Sequence, residues 1–322
     1  MVLESTGVLP EGRITPQCTG IWSDQQEAAY AQLIRNMRSF GDVKVAIQLS
    51  HAGRRSSLRP GYGGTGGVLT VEKGGWTTLG PSAVGFDEKS LVPKALDLEG
   101  MERIKQGFVD ATKRAFRAGF DWVELHGGHG YLIHEYLSPI SNKRTDQYGG
   151  SLENRMRFPL EILTAMRAAT PANKPLGIRV SGSEWVTDQP SHDIHEVCTF
   201  VQAAKNAGID YVCVSSIGNG RGQIPFGPLF QVPLAETVKK ITGVPTRAVG
   251  MITTPFEAES ILQEGKADLI ALARPFLYNP RWVWHAARAL GVPYNFNTEF
   301  ESLKEAWWPV IDRATAWKGP TK

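Results

Sequence analysis

The stretch Phe120-Asp121-Trp122-Val123-Glu124-Leu125-His126-Gly127-Gly128-His129-Gly130-Tyr131-Leu132 carries two signals in succession. Residues 120–126 are rich in aromatic and branched apolar side chains and read as a strand. The strand then ends in two histidines separated by two glycines, with a tyrosine two residues further on. Glycines let the backbone turn sharply, so both imidazoles can point at one spot from a strand end. Two imidazole N–H groups converging on one atom can hold a carbonyl or phenolate oxygen and stabilise the charge it gains in a transition state. The phenol of Tyr131 can give a proton to the adjacent carbon. A single histidine in a loop is more often solvated or bonded to backbone, but that reading weakens for a trio gathered at a strand end. A metal site is the other alternative, since imidazole is a common ligand. It lacks carboxylates or a third histidine at ligand spacing.

Outward from this stretch the chain alternates strands and helices. Strands are expected at 2–6, 43–49, 120–126, 176–181, 210–215, 246–249 and 268–272. Helices are expected at 24–39, 98–118, 151–169, 191–207, 231–241, 254–264 and 279–290. Repeated strand-then-helix units with apolar strands imply a parallel sheet. The seven strands predict a (β/α)8 TIM barrel, of the α/β class, with one strand unaccounted for. An open doubly wound sheet competes, but its G-x-G-x-x-G signature after the first strand is absent. Gln48, His126, Arg179, Ser215, Gly250 and Arg274 fall at or just beyond carboxyl ends of strands, the face where barrel active sites assemble. The Gly-rich stretch 59–81, which contains Trp76, is long enough to be a functional loop. Phe300, Leu303, Ala306, Trp307, Val310 and Ile311 recur at helical spacing, so residues 1–292 are read as barrel core and 293–322 as a helical tail of one domain.

Composition fits this reading. The 322 residues are 42% hydrophobic and 21% charged, ordinary for one globular domain. Net charge is +3 without a Lys/Arg block, which disfavours nucleic-acid binding. Cys18, Cys198 and Cys213 stand far apart with no C-x-x-C pair, which excludes a disulfide framework or thiolate zinc site and fits a reducing compartment. No run is long and apolar enough to span a bilayer, and the first residues lack a leader pattern. A cytoplasmic location is the expectation.

The sequence resembles the Old Yellow Enzyme family of FMN-dependent ene-reductases, in its thermophilic-like or xenobiotic-reductase-like branch. The resemblance runs from residue 1 to about 292. It rests on Gly12-Arg13-Ile14-Thr15 with Gly20-Ile21-Trp22-Ser23-Asp24, Ile47-Gln48-Leu49-Ser50-His51-Ala52-Gly53-Arg54, Pro81-Ser82-Ala83, the His126–Leu132 segment, Ser141-Asn142-Lys143-Arg144-Thr145-Asp146, Tyr148-Gly149-Gly150-Ser151 and Glu153-Asn154-Arg155. It implies FMN as cofactor, with NADH or NADPH as reductant. Gln48 would bond the polar edge of the flavin ring, and Arg179 would lie beside the edge where negative charge builds on reduction. Ser5 would touch the flavin by backbone, and Val249-Gly250 with Ala273-Arg274 would hold the phosphate. The same resemblance implies that His126 and His129 hold the carbonyl oxygen of an α,β-unsaturated substrate while Tyr131 protonates its α carbon. It leaves a homo-oligomer possible.

The chain departs from the family in two places. Ala273 stands where the family usually has glycine, adding a methyl near the phosphate. Met1 falls where the family's second strand begins, so the unaccounted strand is the first; the carboxyl end supplies no replacement strand. Two unpaired sheet edges and a flavin site open on one side are the expected consequence. A non-catalytic or truncated remnant that binds FMN poorly is therefore the competing expectation.

Overall fold

The computed structural model describes residues 1–61, 66–296 and 298–304. Strand β1 (Val2–Gly7) leads through a loop to helix α1 (Asp24–Arg38) and strand β2 (Ala46–Ser50). The short pair β3 (Leu79–Gly80) and β4 (Lys94–Ala95) precedes α2 (Leu98–Ala118), β5 (Trp122–Gly127), α3 (Leu132–Leu137) and α4 (Leu152–Ala169). The regular units β6 (Leu176–Ser181), α5 (Ile194–Asn206), β7 (Tyr211–Ser215), α6 (Val232–Thr242), β8 (Thr246–Val249), α7 (Pro255–Gln263) and β9 (Leu269–Ala271) follow. Two helices, α8 (Arg274–Tyr278) and α9 (Trp282–Ala289), complete the order.

Local chemistry explains the helix ends. Ser23 and Gln26 close a capping box on α1, and Thr254 and Glu257 do the same on α7. Asp97 caps α2 by accepting the Gly100 N–H at 2.7 Å, and the helix stops at Gly119 in the left-handed conformation, φ +101°.

Seven strands form one sheet in the order β1-β2-β5-β6-β7-β8-β9, with every pair parallel. The seven parallel strands are those expected of the barrel sheet, and among the described residues β1 and β9 do not pair with each other. The period-2 alternation divides the strands cleanly. Val123, Leu125, Ile178, Val212, Val214 and Ala248 are buried with Phe108, Phe158, Ile162, Phe200, Ala235 and Val238 of the covering helices in one apolar core. The intervening positions are polar: Gln48 is opposite Glu124, and His126 opposite Arg179, which is opposite Cys213 and then Arg247.

Several boundaries differ from expectation. β2 begins at Ala46 because its ladder partners begin at Val2 and Trp122; just upstream, the Val45 N–H donates to the Asp121 carboxylate at 2.8 Å instead. The helix expected at 279–290 starts at Trp282, after Pro280, and a separate turn, α8, precedes it. The long Gly-rich segment carries β3 and a 3-10 turn at Val71–Lys73, and its Trp76 indole donates to the Glu11 carbonyl at 2.8 Å. In the expected helical tail, Thr298–Leu303 is a 3-10 turn, whereas Ala306, Trp307, Val310 and Ile311 lie outside the described residues.

Candidate active site

His126 sits near the end of β5, with its ring in the sheet interior beside Arg179 of β6. His129 follows in a turn at φ +58°, a left-handed conformation uncommon for a side-chain-bearing residue. That turn is held because the His129 N–H donates to Ser181 Oγ at 2.9 Å and the His129 carbonyl accepts from Arg55 Nη1 at 2.6 Å. Tyr131 is the N-cap of α3, so its side chain leaves the chain where strand gives way to helix. The His126 ring lies 5.0 Å from that of His129 and 4.9 Å from that of Tyr131. The trio read from the sequence is therefore one cluster.

Hydrogen-bond direction assigns the tautomers. Ser215 Oγ donates its only hydrogen to Gln231 Oε1 at 2.9 Å, so at its 2.9 Å contact with His129 Nε2 the histidine must be the donor. With Nε2 protonated in a neutral ring, His129 Nδ1 accepts from His126 Nε2–H at 3.3 Å. His126 Nδ1 in turn accepts the Gly128 N–H at 3.3 Å. Both rings are neutral because burial, and next the Arg179 charge, hold their pKa values well below the usual imidazole range. Without a ligand the two imidazoles thus bond to each other rather than both to a third atom. Burial raises the Tyr131 phenol, while the cations Arg55 and Arg179 act in the opposite direction.

Arg179 is a cation in need of partners. Its Nη2 donates to Ser215 Oγ at a long 3.4 Å and its buried Nε has no partner. Gln48 donates to Glu124 Oε1 at 2.7 Å, so its amide nitrogen is already engaged. Glu124 also accepts from Tyr211 Oη at 2.6 Å and forms an ion pair with Arg247. The Tyr211 ring fits because its opposite residue is Gly177, where a Cβ would lie 2.1 Å from Tyr211 Cε1. Ser5 is paired with Gln48 across β1 and β2, just after a register shift. Gly250, at φ +110°, backs onto Gln231, and a Cβ there would come within 2.0 Å of Gln231 Nε2. Val249 ends β8, while Ala273 and Arg274 are exposed at the start of α8.

Sequence reasoning missed Arg55 and Gln231. Arg55 follows Arg54, and only the structure separates their tasks. Arg54 is buried and donates to the carbonyls of Val84, Gly85 and Asn219, whereas Arg55 is half-buried over the Tyr131 ring. Gln231 precedes α6 and carries no local motif.

The sequence pattern of the NADH:flavin oxidoreductase / NADH oxidase family matches residues 1–291. The chain belongs to that family. It is 38% identical over 301 residues to an NADPH dehydrogenase of Geobacillus thermodenitrificans, covering 94% of this chain and 82% of that protein. An NADPH dehydrogenase of Clostridium acetobutylicum is 40% identical over 301 residues, covering 94% and 84% of the two chains. Among solved structures, morphinone reductase in complex with tetrahydroNAD is similar at 26% identity and a TM-score of 0.72, covering 91% of this chain and 78% of that one. The protein is thus an Old Yellow Enzyme family member, a flavin-dependent oxidoreductase using FMN with NAD(P)H as reductant. No helix among the described residues is long and apolar enough to cross a membrane.

Proposed function

We propose that the enzyme reduces the activated C=C bond of small α,β-unsaturated carbonyl compounds. The observation that carries this reading is the His126–His129–Tyr131 cluster, two neutral imidazoles beside a phenol, with His126 buried and His129 and Tyr131 half-buried. A carbonyl oxygen entering between His126 Nε2 and His129 Nδ1 would replace their mutual bond. His126 already presents N–H there; His129 does so in its Nδ1–H tautomer, in which Ser215 Oγ turns its hydrogen from Gln231 Oε1 to His129 Nε2. Polarising the carbonyl draws electron density from the β carbon, and Tyr131 gives its proton to the α carbon.

The residues fit FMN. The unpartnered Nε of Arg179 and its single long hydrogen bond leave a buried guanidinium able to face the negative edge of a reduced flavin ring. Gln48 and Ser5 line the same interior, and Val249, Gly250, Ala273 and Arg274 would hold the phosphate end. When bound, FMN accepts hydride from NAD(P)H and supplies it to the β carbon. The protein orients the carbonyl, excludes water and delivers the proton.

The likeness to morphinone reductase, solved in complex with tetrahydroNAD, supports a hydride-transfer site of this kind. A second reading, that the chain holds FMN weakly, draws on the exposure of Ala273 and Arg274; flavin colour lost on desalting would favour it. The direct test is Tyr131→Phe in anaerobic stopped-flow. Reoxidation of the NADPH-reduced enzyme by cyclohexenone should slow by about a hundredfold or more, the usual contribution of a positioned general acid. Equal rates in the variant and the parent would remove Tyr131 as the proton donor.

A further inference from the structure

We infer that Arg55 is a positioning residue whose guanidinium charge stabilises the phenolate left on Tyr131 when that side chain gives up its proton. The inference rests on the proposed alkene reduction for its catalytic meaning and on geometry for its existence. In the step, the Tyr131 O–H bond breaks and a C–H bond forms at the α carbon. Hydride, originating in NAD(P)H, completes the β carbon, and the phenolate is later reprotonated from solvent. A phenolate largely withdrawn from water is costly without a compensating charge, and half-buried Tyr131 therefore gains from a cation nearby.

Arg55 meets that need. Its Cζ lies 5.7 Å from the Tyr131 ring centroid and 4.5 Å from that of Phe86. Its Nη1 donates to the His129 carbonyl at 2.6 Å, so the guanidinium is tied to the same turn that presents the histidines. Among the described residues Arg55 makes no ion pair with a carboxylate. The nearby Glu135 does not neutralise it, because burial pushes that carboxyl up to about 8 and keeps it largely protonated at neutral pH. The other groups facing Tyr131 are the neutral His126 ring, the Cys18 thiol and Arg179, the last of which lies beside His126 and Ser215. A cation over a ring is attractive before proton transfer and more so once the ring carries charge. The structure therefore contains a donor and the means to hold its conjugate base.

The test uses the FMN-loaded enzyme with two readouts. In Arg55→Met, cyclohexenone-dependent reoxidation should slow by about tenfold, at least several times more than reduction by NADPH slows, and Arg55→Lys should recover most of the loss. Independently, ¹³C NMR of protein labelled at tyrosine Cζ, with the Tyr131 signal assigned by its disappearance in Tyr131→Phe, follows phenol ionisation. In Arg55→Met that titration should move to higher pH. An unmoved titration overturns the inference, as does a loss that falls equally on reduction by NADPH, which would make Arg55 a recognition residue for the dinucleotide. Should the parent enzyme fail to reduce enones at all, the proposed function fails while the titration still decides the Arg55–Tyr131 coupling.

Discussion

In β2, β5, β6 and β7, the middle of the large sheet, every strand residue except Trp122 and Arg179 is buried, whereas the two ends of that sheet, β1 and β9, leave much of their length accessible. Leu269 of β9 is 50% exposed, and beside it Leu277 and Tyr278 of α8 are 82% and 91% exposed. The residues of the proposed site are spread over both regions. His126, Arg179 and Ser215 stand on the buried arc. Ser5, Val249, Ala273 and Arg274, which would meet the flavin's backbone contacts and phosphate, stand on or beside the accessible ends. Under the proposed function, the proton-handling residues and the Arg179 and Gln48 contacts to the flavin ring share the buried arc, while the phosphate contacts lie towards the accessible end, so phosphate holding and proton delivery would fail separately.

The largest expected effect lies in the buried arc. Glu124 is fully buried and satisfies Gln48, Tyr211 and Arg247 together. Glu124→Gln keeps the shape but leaves the Arg247 cation without its charge partner, and breaking a buried pair from one side costs about 3–5 kcal/mol. Urea unfolding should show this as a lower midpoint with an unchanged slope. A shift within error would mean that the interior is not held by this pair and would remove the contrast between arc and ends.

That interior also marks where the sequence was legible and where it was not. Strand β6 was read at its observed limits, and α2 likewise, because an apolar period and clear caps coincide there. The cluster of His126, His129 and Tyr131 was legible because three chemically capable residues lie within one turn. The Glu124–Arg247–Tyr211 group was not, since its members come from β5, β8 and β7 and meet only when the sheet curls. Arg55 was hidden for a different reason: adjacent arginines look alike in sequence, and burial alone sends Arg54 to backbone carbonyls and Arg55 to Tyr131. Of the expected tail, Thr298–Leu303 took a 3-10 form, with the Phe300 ring against Trp284 of α9.

A smaller, pH-dependent effect is expected behind the arc, at Glu135 of α3. Its Oε1 accepts the Arg54 N–H at 2.8 Å, its Oε2 is buried without a partner, and burial raises its pKa from 4.5 to about 8. The folded state therefore binds this proton more tightly than the unfolded chain. The stabilisation it brings is complete below pH 4.5 and fades as pH rises towards 8, by at most about 1.4 kcal/mol per pH unit. Glu135→Gln carries no such proton, so its stability relative to the parent should climb between pH 5 and 8 in thermal melts. A difference that stays constant with pH would show that Glu135 ionises in the fold much as it does in water.

The smallest effect belongs to the accessible side. Lys239 of α6 and Asp268, just before β9, form an ion pair at 2.9 Å with side chains 27% and 42% exposed. Water already solvates both groups, so the Coulomb attraction is weak and salt screens it further; such pairs are worth about 0–1 kcal/mol. Lys239→Ala leaves the other Asp268 contact, acceptance of the Thr246 N–H at 2.8 Å, in place. The variant should therefore lose no more than about 1 kcal/mol in urea unfolding at low salt and less at high salt. A loss as large as that of Glu124→Gln would place the strongest electrostatic tie of the sheet at its exposed end, and the division between a self-sufficient catalytic arc and loosely held ends would no longer stand.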